Sequence, residues 1–209
     1  MQEVRHVVDY HQGREMEIVL MFADLRGFTT ASEYRLPYDT VFLLNRYFAE
    51  MSTAITASGG FVDKFIGDGI MALFALEEDI VRGAMSALRA ARDMSARLDA
   101  LNRELAHDLT EPLKIGIGIH CGGAIVGDMG HGRARALTAI GDTVNTASRI
   151  EGLSKRFDSE LMVSAELAKL VGASLAEFKT IEVDVRGRQD KIAVLAIPRA
   201  RDLAIIDAL

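Results

Sequence analysis

Glu17-Ile-Val-Leu-Met-Phe-Ala-Asp24 is a continuous apolar run closed by a carboxylate. Because both alternating sets of positions are apolar, the run reads as a central strand covered on both faces. Leu25-Arg-Gly-Phe-Thr-Thr30 follows directly, a turn with cap-type residues able to open a helix. Between Tyr38 and about Ser58, Leu44, Phe48, Met51 and Ile55 recur at helical spacing, and Gly59-Gly60 ends that helix. Phe61 to Phe65 and Ile70 to Phe74 read as a β-hairpin around Ile66-Gly67-Asp68-Gly69. A second long helix runs from about Glu78 to His107, with Val81, Ala84, Leu88, Ala91 and Leu98 on its apolar face. Leu113, Ile115, Ile117 and Ile119 then alternate with Lys114, Gly116, Gly118 and His120, a period of two, and Ala124-Ile-Val126 reads as the partner of that strand.

Beyond a Gly-rich, charged stretch from Gly127 to Arg135, the reading is a short helix over Thr143 to Lys155 and a strand near Leu161 to Val163. A helix near Ala165 to Val171 and strands near Phe178 to Val185 and Lys191 to Ile197 complete it. The order predicts an α+β fold with a ferredoxin-like βαββαβ core: an antiparallel sheet with helices packed on one face, plus C-terminal αβ extensions. Residues 1–14 read as a linker or the end of an incoming helix, 15–198 as one domain, and 199–209 as a tail.

Composition narrows the function classes. With 49% hydrophobic residues in 209, the chain can bury a substantial core. Lys and Arg number 24 against 30 Asp and Glu, a net charge of -6, which disfavours a broad nucleic-acid surface. An anionic substrate is compatible with that balance only through few, local counter-charges. The one cysteine, Cys121, excludes an intramolecular disulfide and a multi-cysteine zinc site, and reads as a packing residue. No apolar signal region precedes Glu17 and no run is long enough to span a bilayer. A reducing cytoplasm is the expected setting, without membrane contact from this chain. Both a native start at Met1 and a piece of a larger sensor-linked protein fit the polar first segment.

Few residues stand out for chemistry. Asp24 ends the buried strand and Asp68 sits in the hairpin turn, so neighbouring strands would bring the two carboxylates together. Such a pair suits hard cations such as Mg²⁺, two of which assist phosphoryl transfer; the alternative is a pair of turn residues. A helix opening at Leu25 to Thr29 would aim backbone N–H groups at an anion, or be an ordinary turn. Lys64, the pair Asn145 and Arg149 four apart on one helix face, and Arg186 and Arg188 around Gly187 are each equally readable as solvated surface. The phosphate-loop, dinucleotide and H-E-x-x-H motifs are absent.

Four stretches resemble the class III nucleotidyl cyclase catalytic domain: Phe22-Ala-Asp-Leu-Arg-Gly-Phe-Thr-Thr30, Val62-Asp-Lys-Phe-Ile-Gly-Asp-Gly-Ile-Met-Ala-Leu-Phe74, Gly116-Ile-Gly-Ile-His120 and Thr138-Ala-Ile-Gly-Asp-Thr-Val-Asn-Thr-Ala-Ser-Arg-Ile-Glu151. They span roughly residues 16–198 in the family's order. The resemblance implies that Asp24 and Asp68, with the Leu25 carbonyl, hold two Mg²⁺ or Mn²⁺ ions. It implies that Arg26, Gly27, Phe28 and Thr29 cradle the triphosphate of ATP. Lys64 and Thr138 fall where the family reads the base; guanylate-forming members carry Glu and Cys there, so this chain looks like an adenylate cyclase, a lyase forming cyclic AMP and pyrophosphate. Lysine only donates and adenine N1 only accepts, while Thr138 can accept from the exocyclic amine.

Asn145 and Arg149 match the family's ribose-orienting and transition-state residues, and Arg186 its β/γ-phosphate cation, where many members have Lys. The resemblance also implies a head-to-tail homodimer with shared sites. One chain is expected to bring Asp24, Asp68 and the Lys64 hairpin, the other Asn145 and Arg149 with Thr138 nearby. Regulatory domains outside the sequence are compatible with it. The alternatives are a guanylate or dual-specificity cyclase, a degenerate cyclase-like regulatory or dimerisation domain, and a diguanylate cyclase. The Gly67-Asp68-Gly69 turn lacks the extended Gly-Gly-acidic signature of the last.

Overall fold

The computed structural model describes residues 13–28, 36–131, 135–184 and 191–205. In chain order the elements are β1 (Arg14–Leu25), α1 (Pro37–Ala57), β2 (Phe61–Ile66), β3 (Gly69–Phe74), α2 (Ile80–Glu104), β4 (Ile115–Met129) and β5 (Ala136–Ile140). They continue with α3 (Asp142–Leu153), β6 (Leu161–Ser164), α4 (Ala165–Val171), β7 (Thr180–Val183) and β8 (Ile192–Ile197). The strands form one sheet in the order β2-β3-β1-β4-β6-β8-β7, with β5 paired to β4. The four core strands are antiparallel throughout, as a βαββαβ order predicts. A parallel β4–β6 pair joins the C-terminal extension and makes the whole sheet mixed.

β1 explains its own composition. Val19, Met21, Ala23 and Leu25 face the cluster under α1, α2 and α4. Ile18 and Leu20 face a second cluster with Met71, Leu73, Val126, Ala139 and Ala147. Each fully buried large side chain contributes about 1.5–3 kcal/mol relative to exposure, so a strand covered on both sides gains from apolar residues at every position. The βαββαβ helices α1 and α2 share one face, as predicted, whereas α3 of the extension lies on the other.

The glycines of Ile115-Gly-Ile-Gly-Ile119 exist for α3. The isoleucines enter the main core, and the glycines face the helix. A methyl group on Gly118 would collide with the Glu151 backbone, and one on Gly116 with Ser154 Oγ. Only a strand surface without side chains lets α3 lie this close.

Three readings of local structure are corrected. Ala124 to Val126 does not pair with the strand before it; β4 runs unbroken through Gly122 and Gly123, which stay in the ladder opposite Ile18 and Glu17, and the partner is β5. The first half of the α1 stripe is shifted by one residue: Leu43 and Tyr47 are buried, whereas Leu44 and Phe48 are only partly covered, while Met51 and Ile55 are buried as predicted. Val81, in the first turn of α2, is exposed. That helix is started by Asp79, whose carboxylate accepts from the Val81 and Arg82 N–H groups at 3.0 Å each. No helix among the described residues is long and apolar enough to cross a membrane.

Candidate active site

The acid pair forms as the sequence predicts. β1 and β3 are neighbours with Ala23 opposite Ile70, so the last residues of β1 meet the β2–β3 turn. That turn is the two residues Gly67-Asp68, closed by Ile66 opposite Gly69. Gly67 takes φ +63°, the left-handed first position that a tight hairpin of type II′ reserves for glycine. Burial, then the charge of Asp68, raise Asp24 from 3.8 to about 6, against the Leu25 N–H that donates to Asp24 Oδ1 at 3.1 Å. Neither carboxylate has a lysine or arginine partner among the described residues. Two facing acids held on rigid backbone without a counter-cation fit hard divalent ions bound through oxygen. No third His, Cys, Asp or Glu among the described residues closes a metal cage around them, so remaining ligands must be backbone, solvent or substrate oxygens.

A further acid, Glu151, escaped the sequence reading as a functional residue. Burial and the charge of Asp24 raise it from 4.5 to about 7, while Ser154 and Arg26 oppose the rise. Its signal was indirect: glycines at 116 and 118 bring the end of α3 onto β4 beside the end of β1.

The turn after Asp24 is partly committed elsewhere. The Arg26 N–H donates to the Lys114 carbonyl at 2.8 Å. Its guanidinium donates to the Ser154 carbonyl at 3.0 Å and to the Ser159 carbonyl, and lies 3.5 Å from Asp158. Arg26 therefore ties the end of α3 to the end of β1 in this conformation. Phe28 packs its ring into the main core, so only its backbone is available to an anion. Gly27, at φ +71°, has open space around it.

In the middle of the hairpin, Lys64 Nζ donates to Thr138 Oγ1 at 2.9 Å. Thr138 Oγ1 donates in turn to Asp63 Oδ2 at 2.6 Å. The long β4 curls so that β5 lies over the face of β1 and β3 that carries Leu20 and Met71, which brings Thr138 to β2. The expected division of residues between chains separated Lys64 from Thr138, whereas within this chain the two are hydrogen-bonded. Asn145 and Arg149 sit four apart on α3, Asn145 exposed and Arg149 half-buried. Neither bonds to Asp24 or Asp68 among the described residues. Thr29, Arg186 and Arg188 lie outside the described residues.

Comparison with known proteins settles the family. The Adenylate and Guanylate cyclase catalytic domain matches residues 10–197. The chain belongs to that family. As a cyclase domain it is 36% identical over 183 residues to the terminal-differentiation specific adenylate cyclase of Dictyostelium discoideum, covering 86% of this chain and 8% of that protein. It is 35% identical over 187 residues to an adenylate cyclase of Anabaena cylindrica, covering 86% of this chain and 36% of that one. The chain thus spans a minor part of these longer relatives. Among solved structures, the guanylyl cyclase Cya2 superposes with a TM-score of 0.82 at 28% identity, covering 93% of this chain and 99% of that one. The adenylyl cyclase CyaB from P. aeruginosa gives 0.78 at 27% identity, covering 94% and 97%.

Proposed function

We propose that this cyclase domain converts ATP to 3′,5′-cyclic AMP and pyrophosphate at sites shared by two copies of the chain. The observation that carries the choice of base is the Lys64–Thr138 hydrogen bond. It sets a donor beside an acceptor, the complement of adenine N1 and its exocyclic amine. Guanine, with N1 protonated and an oxygen at position 6, would face both groups the wrong way, and such mismatches discriminate by up to about 10⁴–10⁵.

What one chain leaves apart supports sharing of the site. Asn145 is exposed and Arg149 half-buried on α3, and among the described residues neither bonds to the acid pair. A second copy brings them to it: one chain supplies Asp24 and Asp68, the other Lys64, Thr138, Asn145 and Arg149. Exposed apolar side chains support the pairing: Phe65 and Ile66 at the hairpin, and Ile125 directly opposite Ile140 on β4 and β5.

In this reading Lys64 and Thr138 fix the base, Asn145 orients the ribose, and Arg149 meets the charge growing on the α-phosphate as the 3′-hydroxyl attacks and pyrophosphate leaves. The Gly27 turn and Arg186 hold the outer phosphates. Asp24 and Asp68 would hold two Mg²⁺ or Mn²⁺ ions, which when bound acidify the attacking hydroxyl and balance the leaving oxygen. Mixing tests the shared site. Asp24→Ala and Arg149→Ala are each expected to be nearly inactive. An equal mixture should recover roughly a quarter of wild-type turnover, since half of random dimers hold one intact site of two. Confirmed mixed dimers without recovery contradict it.

A further inference from the structure

Asp63 is placed by an irregularity in the sheet. Val62 pairs with Ala72 and Lys64 with Met71, so Asp63 is an extra residue, a β-bulge in β2. Strict alternation would send Asp63 and Lys64 to opposite faces; a bulge re-aims them. Both reach Thr138 as a result. The Asp63 side chain is 1% exposed. One oxygen accepts from Thr138 at 2.6 Å. The other has no hydrogen bond among the described residues and lies 3.6 Å from Lys64 Nζ.

The order of these bonds fixes the polarity of the threonine. An ammonium only donates and a carboxylate only accepts, so the hydroxyl between them must accept from Lys64 and give its one hydrogen to Asp63. What remains on Thr138 is a lone pair. Thr138 can then take a hydrogen from an exocyclic amine, but it has none to offer a carbonyl oxygen.

We propose that Asp63 is a specificity-determining positioning residue, which holds the Thr138 hydroxyl as an acceptor and so excludes bases that present an oxygen at position 6. The inference rests on the adenine reading given above and deepens it. Burial raises the Asp63 carboxyl while Thr138 and Lys64 pull it down, as expected of a buried acid retained by its partners.

Asp63→Asn keeps the shape but lets the hydroxyl accept from an amide and turn its hydrogen toward substrate. The homodimeric protein is assayed with ATP and GTP in Mn²⁺, with melting temperature followed in parallel. The expected result is a fall of about tenfold or more in the ATP/GTP ratio of kcat/KM, much of it from loss on ATP. A purely structural role would lower both activities together and leave the ratio unmoved, which overturns the proposal. Asp63→Ser, small and able to donate or accept, gives the same reading if the amide is not tolerated. For the wild type, a triphosphate of unsubstituted purine, which lacks the amine, should lose about tenfold relative to ATP, and equal use of the two would contradict an acceptor on Thr138. A wild type that does not prefer ATP over GTP overturns the adenine reading itself. A wild type that prefers ATP, with Asp63→Asn unchanged in ratio, overturns only the part given to Asp63.

Discussion

The turn of the β2–β3 hairpin and the middle of β2 are built to opposite rules. At the turn, Asp24 and Asp68 face each other without a cationic side chain among the described residues, and burial, then the charge of Asp68, raise the Asp24 pKa. In the middle of β2, Lys64, Thr138 and Asp63 form a chain in which a cation donates to a hydroxyl and the hydroxyl donates to an anion. The first region is a charge imbalance that a bound cation, or a proton below about pH 6, relieves. The second pairs its cation with its anion through the hydroxyl before substrate arrives. The first region is therefore expected to supply chemistry to any nucleotide, and the second to choose which nucleotide receives it.

The largest expected effect breaks the first region. Asp24→Ala should lower kcat/KM by about 10³-fold or more, and equally for ATP and GTP, because it touches no base. Unequal loss on the two nucleotides would merge the roles the two regions are given. The double change Lys64→Glu with Thr138→Cys should instead shift the ATP/GTP ratio by about 10²-fold or more while cyclisation survives. Loss of turnover on both nucleotides in a folded protein would place the pair in the chemistry.

A smaller effect appears in stability. Asp24 binds its proton up to about pH 6 in the folded chain against 3.8 ordinarily, so the folded state holds more protons between those values. Stability without divalent ions should fall as pH rises through that window and stay low above it. Glu151 adds the same trend between 4.5 and about 7. Asp24→Asn removes the first component. Its melting temperature should exceed wild type by roughly 2–4 °C at pH 8, a gain limited by partial solvent screening, and match it near pH 4. Mn²⁺ should raise the wild type more than the variant. A wild type no less stable at pH 8 than at pH 5 would contradict the strained acid pair.

Much of this contrast was legible in the sequence. The hairpin is announced by glycines around Asp68, and the doubly covered β1 by an unbroken apolar run that delivers Asp24 to the same edge. What stayed hidden depends on bends and close approaches. The curl of β4 carries Thr138 across the sheet, yet its glycines read as an interruption of the strand. The bulge at Asp63 defeats the period of two, so the alternation of β2 does not show that this acid and Lys64 reach the same hydroxyl. Arg26 reads as a phosphate ligand until the end of α3 comes near enough to take its guanidinium. Glu151 was invisible because helix periodicity says which residues share a face but not what the helix touches.

Product identification tests the central claim most directly. The purified chain is incubated with ATP or GTP and Mn²⁺, and the nucleotides are separated by mass. The account predicts 3′,5′-cyclic AMP and pyrophosphate from ATP, with far less cyclic GMP from GTP. Cyclic GMP as the dominant product, or no cyclic nucleotide from either substrate, would contradict it.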